Sequence, residues 1–324
     1  MRSFKHVNAR TVDEACALLG EYKGKAMLNA GGTELLSILK GEYLSDYPEA
    51  VINIKTISGL DYIKEENGAF KIGALTKLSD IANSPLLKRS CKALVEATRS
   101  VATPQIRNTA TIGGNLCQDV RCWYYRYPRQ IGGPIRCLRK GSGPCLAVSG
   151  DNRYHAILGG KRCYAVCPSD TAVALAALDA QITIAGPKGE RRRMAVTGFF
   201  GTLGNALKGD EMITEIEVPM VTGLSKQTFL KFTLRNPIDF AIVSVASVIT
   251  VERGLCVDAR IVLGAVAPTP VRSTKAEEVI KGRPIDQNAA AEAAEQAVLG
   301  AMPLSMNAYK VEIAKTLVKR AILG

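Results

Sequence analysis

The pattern of hydrophobic and polar residues in the first part of the chain alternates between the period of a helix and the period of a strand. It therefore predicts helices and strands in turn. Thr11-Val12-Asp13-Glu14 has the capping-box pattern, and the apolar residues after it predict an amphipathic helix. Residues 25–30 and 50–54 are short apolar runs typical of strands, and residues 34–39 predict a second helix. We therefore expect an N-terminal unit of alternating helix and strand that ends near Lys55.

A second unit is predicted from residue 57 onward. Residues 62–64 and 70–73 are expected to pair as strands around the turn Glu66-Asn67-Gly68. Arg191 to Arg193 follow Gly186-Pro187-Lys188-Gly189 and are expected at a hairpin tip. The remaining patterns predict helices at 78–82, 86–97 and 171–180, and strands at 181–184 and 212–218.

The pattern changes after residues 221–225, Val-Thr-Gly-Leu-Ser, which are the best candidate for a linker. A second capping box, Thr274 to Glu277, is expected to open the first helix of a C-terminal module. Strands followed by helices is the order of an α+β fold. The strands are predicted at 229–234, 241–251 and 256–264, and the helices at 274–280, 289–299 and 309–323.

Composition and charge narrow the class of protein. The 324 residues are 47% hydrophobic and 22% charged, which is ordinary for a globular protein of two or three domains. The longest apolar run, 240–251, is too short to cross a bilayer, and the N-terminus lacks the apolar core of a signal peptide. We therefore expect no membrane insertion and a cytoplasmic location. The net charge of +12 is mostly scattered and accompanies no nucleic-acid motif, so an acidic partner or an anionic cofactor explains it better.

Two double-glycine turns are candidates for binding an anion. They are Ala30-Gly31-Gly32-Thr33-Glu34 and Thr111-Ile112-Gly113-Gly114-Asn115. Glycine allows backbone amides to approach a phosphate closely, and the neighbouring Thr and Asn side chains can donate hydrogen bonds. Neither turn is a Walker loop or a dinucleotide-binding Gly-x-Gly-x-x-Gly sequence, so a Rossmann site is not indicated.

Six of the nine cysteines fall between Cys117 and Cys167, in a segment rich in Gly, Pro and Arg. In a reducing compartment such cysteines are metal ligands more often than disulfides. The spacings contain no Cys-x2-Cys pair, so zinc-ribbon and bacterial ferredoxin patterns are both absent. The residues alone leave zinc, an iron–sulfur cluster and scattered small hydrophobic cysteines open. Outside this segment, Cys16, Cys91 and Cys256 are expected to be core residues.

The glycine turns, together with Pro168-Ser169-Asp170, residues 211–219 and the segment from Lys231 to Ala241, resemble the FAD-binding medium subunits of molybdenum hydroxylases. The resemblance runs through the whole chain in order. It implies an α+β fold: a two-subdomain FAD-binding domain of the PCMH/vanillyl-alcohol-oxidase type, followed by a C-terminal domain of a small antiparallel sheet and helices. The implied domains are 1–222, with subdomains of about 1–55 and 56–222, and 226–324, with an insertion at about 117–167.

The same resemblance implies which residues bind FAD. Thr33 and the glycines before it would hold the pyrophosphate, and Lys231 would lie near the polar edge of the isoalloxazine. Asp170 would accept from the adenosine portion of FAD or from a neighbouring hydroxyl. Without the resemblance, Lys231 would be a solvated strand lysine and Asp170 a helix N-cap. The full implied set is Leu28, Asn29, Ala30, Gly31, Gly32, Thr33, Glu34, Thr111, Gly114, Asn115, Asp170, Ile213 and Lys231.

The insertion resembles the [4Fe-4S] loop of the 4-hydroxybenzoyl-CoA reductase β subunit and of some aldehyde oxidoreductases. By that likeness the cluster ligands are Cys122, Cys137, Cys145 and Cys163, and Cys117 and Cys167 are spare. Residues 151–156 look more like the aldehyde oxidoreductase form. Residues 162–165 look more like the hydroxybenzoyl-CoA form, so the substrate stays open.

The implied function is an electron-transfer subunit with no catalytic acid or base of its own. The partners would be a large subunit with the Mo-molybdopterin cofactor and a small subunit with two [2Fe-2S] clusters, arranged as a dimer of heterotrimers. An external carrier such as ferredoxin would meet the [4Fe-4S] cluster. Two other classes remain as alternatives: a zinc-stabilised docking subunit without flavin, and a free-standing flavin oxidase.

Overall fold

The structure is a computed structural model and describes residues 1–221, 225–236 and 238–324. The N-terminal unit pairs three parallel strands in the order β1-β3-β2, with a helix in each crossover. Thr11 caps the first helix by accepting from the Glu14 amide, as the capping box predicts. The elements are β1 (Lys5–Asn8), α1 (Val12–Glu21), β2 (Ala26–Asn29), α2 (Leu35–Gly41) and β3 (Ala50–Asn53).

The second unit is built on an antiparallel sheet. Asn67 and Gly68 both have positive φ, at 54° and 74°, which is the geometry of the predicted hairpin turn. Its elements are β4 (Ile63–Glu66), β5 (Ala69–Gly73), α3 (Leu78–Asn83), α4 (Pro85–Ser90), α5 (Lys92–Arg99), α6 (Pro104–Arg107), α7 (Ile112–Leu116), α8 (Asp170–Ala177), β6 (Gln181–Ala185), β7 (Arg191–Ala195), α9 (Val196–Phe199), β8 (Phe200–Gly201), β9 (Gly204–Asn205) and β10 (Met212–Pro219). The sheet order is β4-β5-β10-β6-β7.

The third unit is a four-stranded antiparallel sheet in the order β11-β12-β13-β14, covered by three helices. The helix α8 is buried on every side, because its small residues pack against α5 and against this sheet. One core therefore runs from the second unit into the third. The elements are β11 (Ser225–Phe232), β12 (Val243–Glu252), β13 (Leu255–Gly264), β14 (Val271–Arg272), α10 (Thr274–Ile280), α11 (Gln287–Ala297) and α12 (Tyr309–Leu323).

Three local predictions were wrong. The helix expected over 86–97 is two helices, because Cys91 leaves helical geometry at φ −129° and ψ 51°. The capping box at Thr274 does not form: Ser273 is the N-cap, and Glu277 instead accepts from the Ile261 amide and from Arg272. Arg191 to Arg193 lie on strand β7 and not at the hairpin tip.

The expected linker falls mostly on 222–224, which lie outside the described residues, so the domain boundary there stays a prediction. Within the three described ranges, every helix is too short or too polar to span a bilayer.

The cysteine-rich insertion contains two short 3-10 turns, Arg129–Ile131 and Leu138–Lys140, and neither a strand nor an α-helix. It is held from outside by residues 302–310, which we call the clasp. The Met302 amide donates to Ile157 O at 2.8 Å, and the Tyr309 hydroxyl donates to Arg153 O at 2.8 Å. A segment with little core of its own is thus ordered by contacts with the C-terminal unit.

Candidate cofactor-binding site

A cleft of about 830 Å³ lies where the three units meet. This volume is near the top of the range of about 300–1,000 Å³ that is usual for ligand pockets. The cleft is lined by all of residues 28–34 except Asn29, and by Thr111, Gly114, Asn115, Asp170 and Lys231. The structure therefore gathers almost all of the expected FAD-binding residues around one cavity.

Two expected residues are not among those that line the cleft. Asn29 is on strand β2, where its backbone oxygen accepts from the Ile54 amide and its Oδ1 faces Gly32. Ile213 is 5% exposed and packs in the core between the second unit's sheet and its helices. Met212, Ile213 and Thr214 are all buried, so β10 does not alternate between buried and exposed side chains at this point.

The first glycine turn is in direct backbone contact with Thr109 and Ala110, the residues that lead into the second turn. A Cβ atom on Gly31 would lie 2.1 Å from the Thr109 carbonyl oxygen, two residues before the second turn. Gly32 has φ +71°, which favours glycine at that position. The absence of a side chain at Gly31 thus allows these segments to meet, and residues of both turns line the cleft.

The second turn is the start of helix α7. The Thr111 hydroxyl accepts from the Gly114 amide as an N-cap. Asn115 is buried, and its Oδ1 accepts from the hydroxyls of Ser169 at 2.7 Å and Thr171 at 2.6 Å. Asn115 thereby ties the glycine turn to the first turn of α8, and its Nδ2 is the group left to donate into the cleft.

Asp170 and Lys231 form a buried ion pair on the cleft wall. Lys231 Nζ donates to Asp170 Oδ2 at 2.7 Å and to Ser100 O at 2.8 Å. The two side chains are 6–7% exposed, so Lys231 is not the solvated lysine that the strand pattern alone suggested. Burial raises the pKa of Asp170, and the Lys231 charge opposes that shift. Ser169, not Asp170, is the N-cap of α8.

A polar network extends from the first glycine turn into the insertion. Glu34 pairs with Arg121 and Arg126 and also accepts from the Asp119 amide. Asp119 in turn accepts from the Tyr125 hydroxyl at 2.6 Å and from Arg139 at 3.4 Å. Both Tyr125 and Arg139 line the cleft on one side and a second cavity on the other.

The second cavity, of about 20 Å³, is lined by Cys122, Cys137, Cys145 and Cys163. These are the four cysteines that the resemblance implies as ligands. Cys117 and Cys167 line the cleft instead. Burial raises the pKa of the Cys122 thiol to about 11, so in this pocket metal binding would have to displace its proton.

The donor set of the cysteine cavity is four thiols, which zinc and a four-iron cluster both accept as ligands. The residues present could therefore hold either kind of metal centre.

Sequence reasoning missed the residues between and behind these cavities. The sequence alone indicated no role for Tyr125, Asp119, Arg139 or Lys310. Their contacts join positions that are distant in the chain, so neither periodicity nor spacing signals them. The one available signal was the concentration of charge: residues 121–167 hold nine basic side chains and one carboxylate.

Comparison with known proteins identifies the family. Residues 2–221 match the FAD binding domain in molybdopterin dehydrogenase, and residues 228–324 match the CO dehydrogenase flavoprotein C-terminal domain. The aldehyde oxidoreductase FAD-binding subunit PaoB of Escherichia coli (strain K12) is 34% identical over 285 residues, which cover 86% of each chain. The carbon monoxide dehydrogenase medium chain of Hydrogenophaga pseudoflava is 29% identical over 324 residues, 98% of this chain and 96% of that one.

A solved structure agrees with both matches. Carbon monoxide dehydrogenase from Hydrogenophaga pseudoflava lacking the Mo-pyranopterin moiety superimposes with a TM-score of 0.80 at 28% identity, over 99% of this chain and 96% of that one. The predicted fold, an FAD-binding domain followed by the C-terminal domain, is confirmed. The chain belongs to the FAD-binding medium subunits of the molybdenum hydroxylase family. It is an FAD-binding subunit of a heteromeric molybdenum-dependent oxidoreductase.

Proposed function

We propose that this subunit relays electrons between FAD in the cleft, a [4Fe-4S] cluster in the cysteine cavity and the [2Fe-2S] clusters of a partner subunit. The observation that carries the proposal is the pair of cavities separated only by shared wall residues. When bound, FAD supplies two-electron chemistry that can be released in single steps, and the cluster supplies one-electron chemistry. The chain itself binds, positions and separates the two groups.

The residues that line the cleft suit a dinucleotide, whose two halves are joined by a negatively charged pyrophosphate. Thr33 and the amides of its glycine turn can donate to pyrophosphate oxygens, and Thr111, Gly114 and Asn115 face the same space. The Asp170–Lys231 pair offers a fixed charge pattern to the cofactor's polar edge or ribose hydroxyls. The matched relatives are an FAD-binding subunit and a medium chain, which favours a subunit of a larger complex over a free-standing flavin oxidase.

Tyr125 and Arg139 form the wall between the two cavities, and this wall supports an electron relay between the sites. Tyr125 is 7% exposed and Arg139 has a side chain 8% exposed, so they exclude water from the space between the cofactors. Asp119 holds both of them, and Glu34 connects Asp119 to the first glycine turn. The first glycine turn and the wall residues therefore belong to one hydrogen-bonded network.

The proposed partners are a large subunit with Mo-molybdopterin, where substrate reacts, and a small [2Fe-2S] subunit, as a dimer of heterotrimers. The aldehyde oxidoreductase relative makes an aldehyde the first substrate class to test, beside aromatic acyl-CoA and purine substrates. An external carrier such as ferredoxin would exchange electrons with the [4Fe-4S] cluster. We place the complex in the cytoplasm, where thiolate ligands stay reduced.

The test is the absorption spectrum of protein purified without air, with flavin, iron and sulfide counted per chain. We expect one FAD, four irons and four sulfides. Zinc in place of iron would favour the zinc-stabilised docking subunit, and the absence of released flavin would contradict the FAD assignment.

A matched pair of variants tests the ligands. Cys145→Ser should lose most of the iron and keep flavin. Cys117→Ser, which alters a cysteine on the cleft, should keep both. Full iron in Cys145→Ser would refute the ligand set.

A further inference from the structure

His155 is a buried residue whose ring faces the cysteine cavity. It is 3% exposed, and its Nε2 lies 3.3 Å from Cys122 Sγ, within hydrogen-bonding distance of a sulfur acceptor. Its Nδ1 is buried with no hydrogen-bond partner among the described residues. The only other histidine, His6, is on strand β1 in the first unit.

The surroundings decide which nitrogen carries the proton. A proton on Nδ1 would leave a buried N–H without an acceptor and would turn the Nε2 lone pair toward the sulfur. A proton on Nε2 instead gives the Cys122 sulfur a hydrogen-bond donor. It leaves the Nδ1 lone pair unfilled, which costs less free energy than a buried N–H without an acceptor. Both the neutral Nε2–H form and the doubly protonated form donate toward Cys122.

The ring is held in this orientation from two sides. Trp123 lies edge-on to it with ring centres 5.4 Å apart, and Tyr124 lies at 6.1 Å. The backbone is fixed by the clasp: Lys310 Nζ donates to His155 O at 3.0 Å, and Asn307 Nδ2 donates to the same oxygen at 3.1 Å. Two donors on one carbonyl leave the histidine little freedom to move.

Lys310 is the central residue of this support. It is fully buried and has no carboxylate partner among the described residues. Its Nζ donates instead to Ala265 O at 2.6 Å and, more weakly, to Tyr154 O at 3.5 Å. A buried lysine bonded only to backbone carbonyls is costly, and the segment that it fixes is the one that carries His155.

We propose that His155 is a positioning residue that donates its Nε2–H to the Cys122 sulfur and raises the reduction potential of the cluster, with Lys310 holding it in place. The inference rests on the proposed cluster. A hydrogen bond to a ligand sulfur stabilises the reduced form, which carries one more negative charge, and so makes the potential more positive. Among the described residues, Cys122 is the one of the four cysteines whose sulfur lies within hydrogen-bonding distance of a side-chain donor.

The test is a redox titration of the whole protein, anaerobically purified, followed by the cluster's absorption and electron paramagnetic resonance. His155→Leu should keep four irons and shift the midpoint potential to more negative values. His155→Gln, which can still donate from its amide, should recover part of the shift. His6→Leu is the matched control and should leave the potential unchanged.

Lys310→Met gives a second line of evidence if His155→Leu folds poorly. It should move the potential in the same direction by a smaller amount, whereas Lys315→Met on the same helix should not. An unmoved potential in both His155→Leu and Lys310→Met would overturn the inference. Loss of iron in both His155→Leu and His155→Gln would also overturn it, because His155 would then be a ligand. Wild-type protein without a cluster would instead refute the proposed function, and this inference with it.

Discussion

Removing Lys231 should destabilise the protein strongly, because it leaves the buried Asp170 carboxyl without its compensating charge. At 2.7 Å and an effective dielectric constant of about 20, the attraction between the two charges is about 6 kcal/mol before the cost of desolvation is subtracted. Breaking a buried pair from one side typically costs about 3–5 kcal/mol, whereas replacing both partners with neutral groups is often nearly neutral. We therefore expect Lys231→Met to lose about 3–5 kcal/mol, and Lys231→Met/Asp170→Asn to recover at least about 2 kcal/mol of it.

The assay is urea unfolding of flavin-free protein, followed by circular dichroism and by the fluorescence of Trp123, the single tryptophan. Coincident transitions would justify a two-state analysis. Arg235→Met is the matched control, because Arg235 pairs with Asp239 in an exposed position near the cleft, and it should change the midpoint little. A double variant as unstable as Lys231→Met alone would refute the reasoning, since the two residues would then act independently.

Three further outcomes are expected. Gly31→Ala should push the first glycine turn away from the second and reduce FAD retention more than tenfold, because the new Cβ would overlap the Thr109 carbonyl oxygen. Gly198→Ala is the control and should retain FAD normally in the same flavin-release assay, because a Cβ there meets nothing closer than 3.6 Å. Asn115→Leu removes the acceptor of the Ser169 and Thr171 hydroxyls and should lower the free energy of unfolding in urea by about 1 kcal/mol. This is at the low end for unpaired buried hydroxyls, because the two hydroxyls lie 3.3 Å apart and can bond to each other. An unchanged urea midpoint would contradict this prediction. Burial lowers the pKa of Lys310 to about 7, below its value in the unfolded chain. Between these two values the unfolded chain binds more protons than the folded chain, so stability should rise as the pH rises from about 7 to about 10. A Lys310→Met variant whose stability has the same dependence on pH would contradict this prediction.

Much of the fold could be predicted from local sequence. The turn at Asn67-Gly68 and the helices at Thr274–Ile280 and Tyr309–Leu323 were predicted correctly, because hydrophobic period and turn chemistry are local properties. The break at Cys91 and the missing cap at Thr274 were not predictable in this way. The missing cap depends on partners that the tertiary structure supplies, because Glu277 accepts from the Ile261 amide on β13 and from Arg272 instead of capping the helix.

The candidate site was predictable as a set of residues but not as an arrangement. The glycine turns could be recognised by their composition, yet the contact of Gly31 with Thr109 joins positions far apart in the chain. Lys231 looked like a solvated strand residue because its partner, Asp170, is 61 positions away. The proximity of His155 to Cys122 likewise joins positions 33 residues apart in the chain.

The clasp also has a consequence for the order of events during synthesis. Lys310 follows His155 by 155 residues, so the cysteine loop leaves the ribosome long before the segment that fixes it. Chains fold from the N-terminus as they are made, at about 5–20 residues per second. The loop is therefore expected to stay accessible to an iron–sulfur donor for about 8–30 seconds of elongation, until the clasp has been made.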